Sequence, residues 1–78
     1  MYYVYILKCC DQSPYTGFAE NLKERFERHI NGGVPATKHR LPFELIFYCA
    51  FFDKYKALDF EKYLKSGSGR AFMNKRLI

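Results

Sequence analysis

Residues 2–17 read Tyr2-Tyr3-Val4-Tyr5-Ile6-Leu7, then Lys8-Cys9-Cys10-Asp11-Gln12-Ser13-Pro14, then Tyr15-Thr16-Gly17. The first six are β-branched and aromatic residues with apolar side chains at odd and even positions alike, the pattern of a strand in the middle of a sheet with both faces covered. Polar and turn-forming residues follow, and the β-like run resumes at Tyr15, so the pair predicts a hairpin. Gly17 is expected to end or bend its second strand.

Downstream, a helix is predicted over Asn21 to Ile30, opened by an Asn21-x-x-Glu24 capping box and stopped by Asn31-Gly32-Gly33. Val34 to Pro42 then forms a loop carrying Lys38, His39 and Arg40. Phe43 to Phe52 reads as a third, largely buried strand. Asp53 caps a second helix running to about Lys65, Ser66-Gly67 breaks it, and Ser68 caps a short terminal helix. The order ββαβαα describes an α+β fold, a small and mostly antiparallel three-stranded sheet flanked by helices. No repeat, linker or low-complexity stretch interrupts it, and residues 1–78 are expected to form a single domain.

Composition narrows the class. Seventy-eight residues close one apolar core, and 49% hydrophobic content with eight Phe and seven Tyr is too apolar for a disordered tail. Thirteen Lys and Arg against eight Asp and Glu leave a net charge of +5, a field that attracts polyanions. Three cysteines, two of them adjacent, suggest neither a disulfide framework nor a zinc half-site. With no charged-then-apolar leader, a cytoplasmic setting is expected. The longest apolar run, Leu45 to Phe52, is about half the roughly 20 residues that cross a bilayer as a helix, so no membrane association is expected. No protein partner is deducible.

Two helices place polar groups beside their apolar stripes. On a wheel of about 100° per residue, Leu22, Phe26 and Ile30 form the sheet-facing stripe of the first helix, with Arg25 and His29 together on its flank. In the second helix Glu61 falls within the stripe of Ala57, Phe60 and Leu64. A buried carboxylate must be paired, protonated or bound to a metal. Pattern alone favours an ion pair between Arg25 and Glu61 that joins the helices. It likewise favours a satisfied half-buried role for His29 and core or edge roles for the tyrosines.

Taken together, these residues resemble the GIY-YIG nuclease superfamily, in particular its short stand-alone members related to the amino-terminal domain of UvrC. Tyr3-Val4-Tyr5 stands where that family has its GIY strand, and Tyr15-Thr16-Gly17 where it has YIG. Asn21-Leu22-Lys23-Glu24-Arg25 looks like the helix bearing the family arginine, and Glu61 like the metal-binding glutamate. The segment Lys65-Ser66-Gly67-Ser68-Gly69-Arg70-Ala71-Phe72 is similar to the ending of the short members, and Asn74 to an asparagine near the end of many. Tyr3 replaces the glycine of GIY and Thr16 the isoleucine of YIG, and neither change removes a tyrosine hydroxyl.

The resemblance implies a metal-dependent endonuclease whose substrate is nucleic acid, DNA favoured over RNA, with DNA repair among its settings. Glu61 would hold one Mg²⁺ or Mn²⁺ whose other ligands are water and substrate oxygen. Tyr15 would accept or position the proton of the attacking water, although a phenol of ordinary pKa near 10 is a poor base at neutrality. Arg25 would make two hydrogen bonds to the phosphate, Tyr5 would support the site, and His29 would touch phosphate or assist proton transfer. Lys38, Arg40, Arg70, Asn74, Lys75 and Arg76 are candidate nucleic-acid contacts. At this length a structure-dependent or weakly sequence-specific activity is expected. The competing readings are a non-catalytic nucleic-acid binding module that retains the fold and an interaction domain active only with a partner.

Overall fold

The computed structural model describes residues 1–35, 38–39 and 41–78. Strand β1 (Tyr2–Lys8) and strand β2 (Pro14–Ala19) form the predicted hairpin, followed by helix α1 (Leu22–Ile30), strand β3 (Glu44–Phe51), helix α2 (Lys54–Leu64) and helix α3 (Gly67–Arg76). The sheet has three strands in the order β2-β1-β3, antiparallel throughout. This is the expected ββαβαα arrangement.

The double-sided apolar pattern of β1 has a direct structural counterpart. Val4 and Ile6 point to one face, where they pack with Ala57 and Leu64 of α2 and Met73 of α3. Tyr5 and Leu7 point to the other, where Leu22 and Phe26 of α1 cover them. Val4, Ile6 and Leu7 are completely buried and Tyr5 very nearly so. At roughly 1.5–3 kcal/mol for each such side chain, this one strand anchors both halves of the core.

Three expectations need correction. Gly17 neither ends nor bends β2, which runs on to Ala19 with Gly17 opposite Tyr5 and Phe18 opposite Val4. Strand β3 is an edge strand with alternating exposure, not a largely buried one; Phe47, Cys49 and Phe51 pack against the core under α2 and α3, whereas Tyr48 and Ala50 point to the other face and are exposed. The terminal helix is capped by Ser66, which accepts a hydrogen bond from the Gly69 amide, so the cap lies two residues before the expected Ser68. The other caps stand where the sequence placed them: the Asn21 side chain accepts from the Glu24 amide, and Asp53 from the Tyr55 and Lys56 amides.

Candidate active site

The site starts from Tyr5, whose cross-strand partner is Gly17. A Cβ at position 17 would collide with the Cζ and hydroxyl of the Tyr5 ring, so that ring lies directly across the glycine. The absent side chain is the passage through which Tyr5 carries its hydroxyl across β2. There the hydroxyl forms a hydrogen bond of 2.7 Å with Nε2 of His29.

His29 departs from the wheel reading. It is completely buried, while Ile30, assigned to the sheet-facing stripe, is 46% exposed. The inward face of α1 is therefore Leu22, Phe26 and His29, spaced by four and three residues. The imidazole meets the rings of Tyr5, Tyr15 and Phe43 edge-on, with centroids 5.7, 5.2 and 5.7 Å away. So enclosed, it has no open path to a phosphate, which corrects the direct contact expected from its flank position. Its place is behind the two tyrosines, holding Tyr5 by a hydrogen bond and Tyr15 by packing. Burial, reinforced by the charges of Arg25 and Arg28, depresses its pKa and keeps the ring neutral.

The Tyr5 hydroxyl also senses the remaining candidates. Burial raises its pKa, the Tyr15 hydroxyl adds to the rise, Arg25 opposes it and the Glu61 carboxylate adds again. Burial is the largest of these influences on the phenolic oxygen. That oxygen stays protonated at neutral pH.

Glu61 is not paired with Arg25. Its partner is Lys65, one turn along α2, with Nζ 3.2 Å from the carboxylate; the Glu61 side chain keeps 20% of its surface accessible and Lys65 keeps 53%. The ion pair expected to join α1 and α2 does not form, because Glu61 finds a cation on its own helix. Both Arg25 and Glu61 remain half-buried and reachable from solvent.

Two depressions open beside these groups. One, about 590 Å³, runs between the start of β2 and α3 and is lined by Ser13, Pro14, Tyr15 and Thr16 on one side and Lys65, Arg70, Met73 and Asn74 on the other. The second, about 340 Å³, is lined by Arg25 and Arg28 together with the turn between β2 and α1. Of the expected nucleic-acid contacts, Arg70 and Asn74 line the first depression, whereas Lys75 and Arg76, exposed on the same helix, do not. Lys38 is exposed in the loop before β3, apart from both depressions, and Arg40 lies outside the described residues.

The family model of the GIY-YIG catalytic domain matches residues 1–76. The chain belongs to the GIY-YIG family. It is similar to a UPF0213 protein of Clostridium perfringens, 46% identical over 66 residues that make up 83% of this chain and 71% of the relative. A UPF0213 protein of Oceanobacillus iheyensis is 43% identical over 65 residues, 82% of this chain and 76% of the relative. Among solved structures, the solution structure of a UPF0213 protein from Bacillus halodurans superposes with a TM-score of 0.61 at 35% identity, covering 96% of this chain and 84% of that one.

Within this GIY-YIG domain the two departures from the motif have local explanations. Tyr3 sits where the motif has glycine, and its cross-strand neighbours are Ala19 on β2 and Ala50 on β3, small residues on both sides that leave room for a ring. Thr16 replaces the isoleucine of YIG opposite Ile6 and is buried, a swap of one β-branched side chain for another.

Among the described residues, no group of three or more His, Cys, Asp and Glu side chains gathers to enclose a metal ion. The one carboxylate that the resemblance assigns to a metal, Glu61, is partly exposed and already matched to the Lys65 ammonium. Such a ligand suits Mg²⁺ or Mn²⁺, hard ions that retain waters and take further oxygens from a phosphate, and does not suit a zinc cage.

Sequence reasoning passed over two contributors. Lys65 was legible as the i+4 partner of Glu61. The role of Gly17 was not, because it depends on a ring crossing from the neighbouring strand.

Proposed function

We propose that this GIY-YIG domain is a metal-dependent endonuclease that hydrolyses phosphodiester bonds in DNA, reading the shape of its substrate or only weakly its sequence. The observation that carries the reading is the meeting of the two motif tyrosines at one buried imidazole: Tyr5 is hydrogen-bonded to His29, and the ring of Tyr15 packs edge-on against it. Membership of a nuclease family supplies the chemistry for which such a set is suited.

Each residue then has a distinct task. Tyr5 is tied to His29 and held as a neutral phenol, so it serves as a hydrogen-bonding support and not as a base. Tyr15, half-buried on the wall of the larger depression, is left to take or orient the proton of the attacking water. Arg25 binds the phosphoryl oxygens through its planar fork and stabilises their growing charge. Glu61 would hold the divalent cation, which when bound would supply positive charge to stabilise the transition state. Arg70 and Asn74 hold the strand beside the reacting phosphate, contacts that carry affinity with little sequence information.

Cleavage of labelled duplex, branched and single-stranded DNA in Mg²⁺ or Mn²⁺ tests the reading. Arg25→Ala, Glu61→Gln and Tyr15→Phe should each slow cleavage by about 10²–10³-fold while preserving the circular-dichroism spectrum. Binding without cleavage under every metal condition would overturn the proposal in favour of a binding module.

A further inference from the structure

The motif assigns no task to Lys65, yet its ammonium faces two different environments. It closes α2 at the C-cap, where the exposed helix carbonyls favour a cation, and its Nζ lies 3.2 Å from the Glu61 carboxylate. The same side chain lines the depression of about 590 Å³ that Tyr15, Arg70 and Asn74 also line. The lysine stem is flexible and its ammonium is a compact charge with no directional fork, so it can exchange one anion for another at little cost. More than half of its surface is accessible.

We infer that Lys65 couples cation loading to substrate binding: it neutralises Glu61 until a divalent cation takes that carboxylate, and then moves its ammonium into the groove to bind a phosphate next to the reacting one. The exchange leaves Glu61 matched to a cation throughout and adds positive charge that a polyanion then neutralises. Without the cation, Lys65 is held by Glu61 and the groove presents Arg70 alone as its cationic wall; with the cation, the groove gains a second positive charge. Cation and polyanion should therefore bind with positive cooperativity that runs through one side chain. This inference rests on the nuclease reading for the cation at Glu61, but its test does not depend on cleavage.

The experiment compares wild type with Lys65→Met, which keeps the apolar stem, and Lys65→Arg, which keeps the charge. Mn²⁺ affinity without DNA is measured by electron paramagnetic resonance, and binding of a labelled DNA by fluorescence anisotropy with and without Ca²⁺, used in place of Mg²⁺ to suppress cleavage. Lys65→Met should tighten Mn²⁺ binding roughly two- to fivefold, the range for loss of an exposed competing ion pair. It should weaken DNA binding with Ca²⁺ present and leave it nearly unchanged without, and Lys65→Arg should restore both properties in part. Unchanged Mn²⁺ affinity in Lys65→Met overturns the inference, and so does a loss of DNA affinity that is equal with and without the cation. If Mn²⁺ binds, the coupling is seen and no DNA is cleaved, the nuclease reading fails while the role of Lys65 stands. If Glu61→Gln leaves Mn²⁺ binding intact, both fail.

Discussion

Tyr5 and His29 are polar groups in a position that would otherwise be wholly apolar, and each makes the burial of the other acceptable. A phenol or imidazole without a hydrogen bond would cost about 1–3 kcal/mol in such a place, whereas the 2.7 Å bond between them removes that cost without introducing a charge. The arrangement has a pH signature. The folded-state pKa of His29 lies below the value of about 6.5 in the unfolded chain. Between those two values the unfolded chain binds more protons than the folded one, so stability rises with pH across that interval. The contribution of His29 is complete above about pH 6.5 and is lost as pH falls from there through the lowered folded value. Urea midpoints measured from pH 7.5 down to 5 should fall in wild type, and His29→Asn should show a shallower fall over the same range. An equal slope in both would remove His29 as the source.

Elements meet in this domain at two glycines, and the obstacle at each differs in kind. At Gly17 an added Cβ meets the far end of the Tyr5 ring, a side chain that can swing at the expense of its bond to His29. At Gly69, in the first turn of α3, it would run into the Tyr63 carbonyl and the Leu64 Cα, backbone of α2 that cannot yield without separating the helices. Gly17→Ala should therefore cost about 1–3 kcal/mol and Gly69→Ala more than that, both read from urea denaturation. Gly17→Ala should also lower any cleavage activity beyond its effect on stability, since it displaces the Tyr5 hydroxyl. The cap residues Asn21 and Asp53 and the spacing of Leu22 and Phe26 were legible from local pattern, and the helices begin where those signals stand. Ser66 in place of Ser68 as the cap of α3 was not, because either serine satisfies the local rule. The contact of Gly69 with the backbone of α2 requires the chain to turn at Ser66, leaving Ser66 to cap.

For the molecule as a whole, the sheet separates two layers: α1 on one face, and α2 with α3 on the other. Arg25 is carried by α1 on one face and Glu61 by α2 on the other, and β2, the strand that carries Tyr15, forms one edge of the sheet between these layers. The net charge of +5 draws a polyanion to the molecule, and the groove beside that edge adds local cations at Lys65 and Arg70. Binding of DNA should weaken linearly in log salt, with Arg70→Ala reducing the magnitude of the slope by about one. Lys56→Ala, exposed near the opposite end of α2, should leave the slope unchanged. An equal response to both substitutions would place the DNA elsewhere.

The order of elements, the central position of β1 and the candidate residues Tyr5, Tyr15, Arg25 and Glu61 were readable along the chain. The elements depend on local periodicity and capping chemistry, which are properties of neighbours in sequence, and the candidate residues on the resemblance of two short motifs and two helices to those of the GIY-YIG family. Tertiary packing decided the rest: His29 inside and Ile30 outside, Glu61 paired with Lys65 and not with Arg25, and a tyrosine lying across Gly17. Each of those outcomes is a competition among partners distant in sequence or equivalent in local pattern. Such a competition is settled only when the helices are seated on the sheet and the groups that face one another are known.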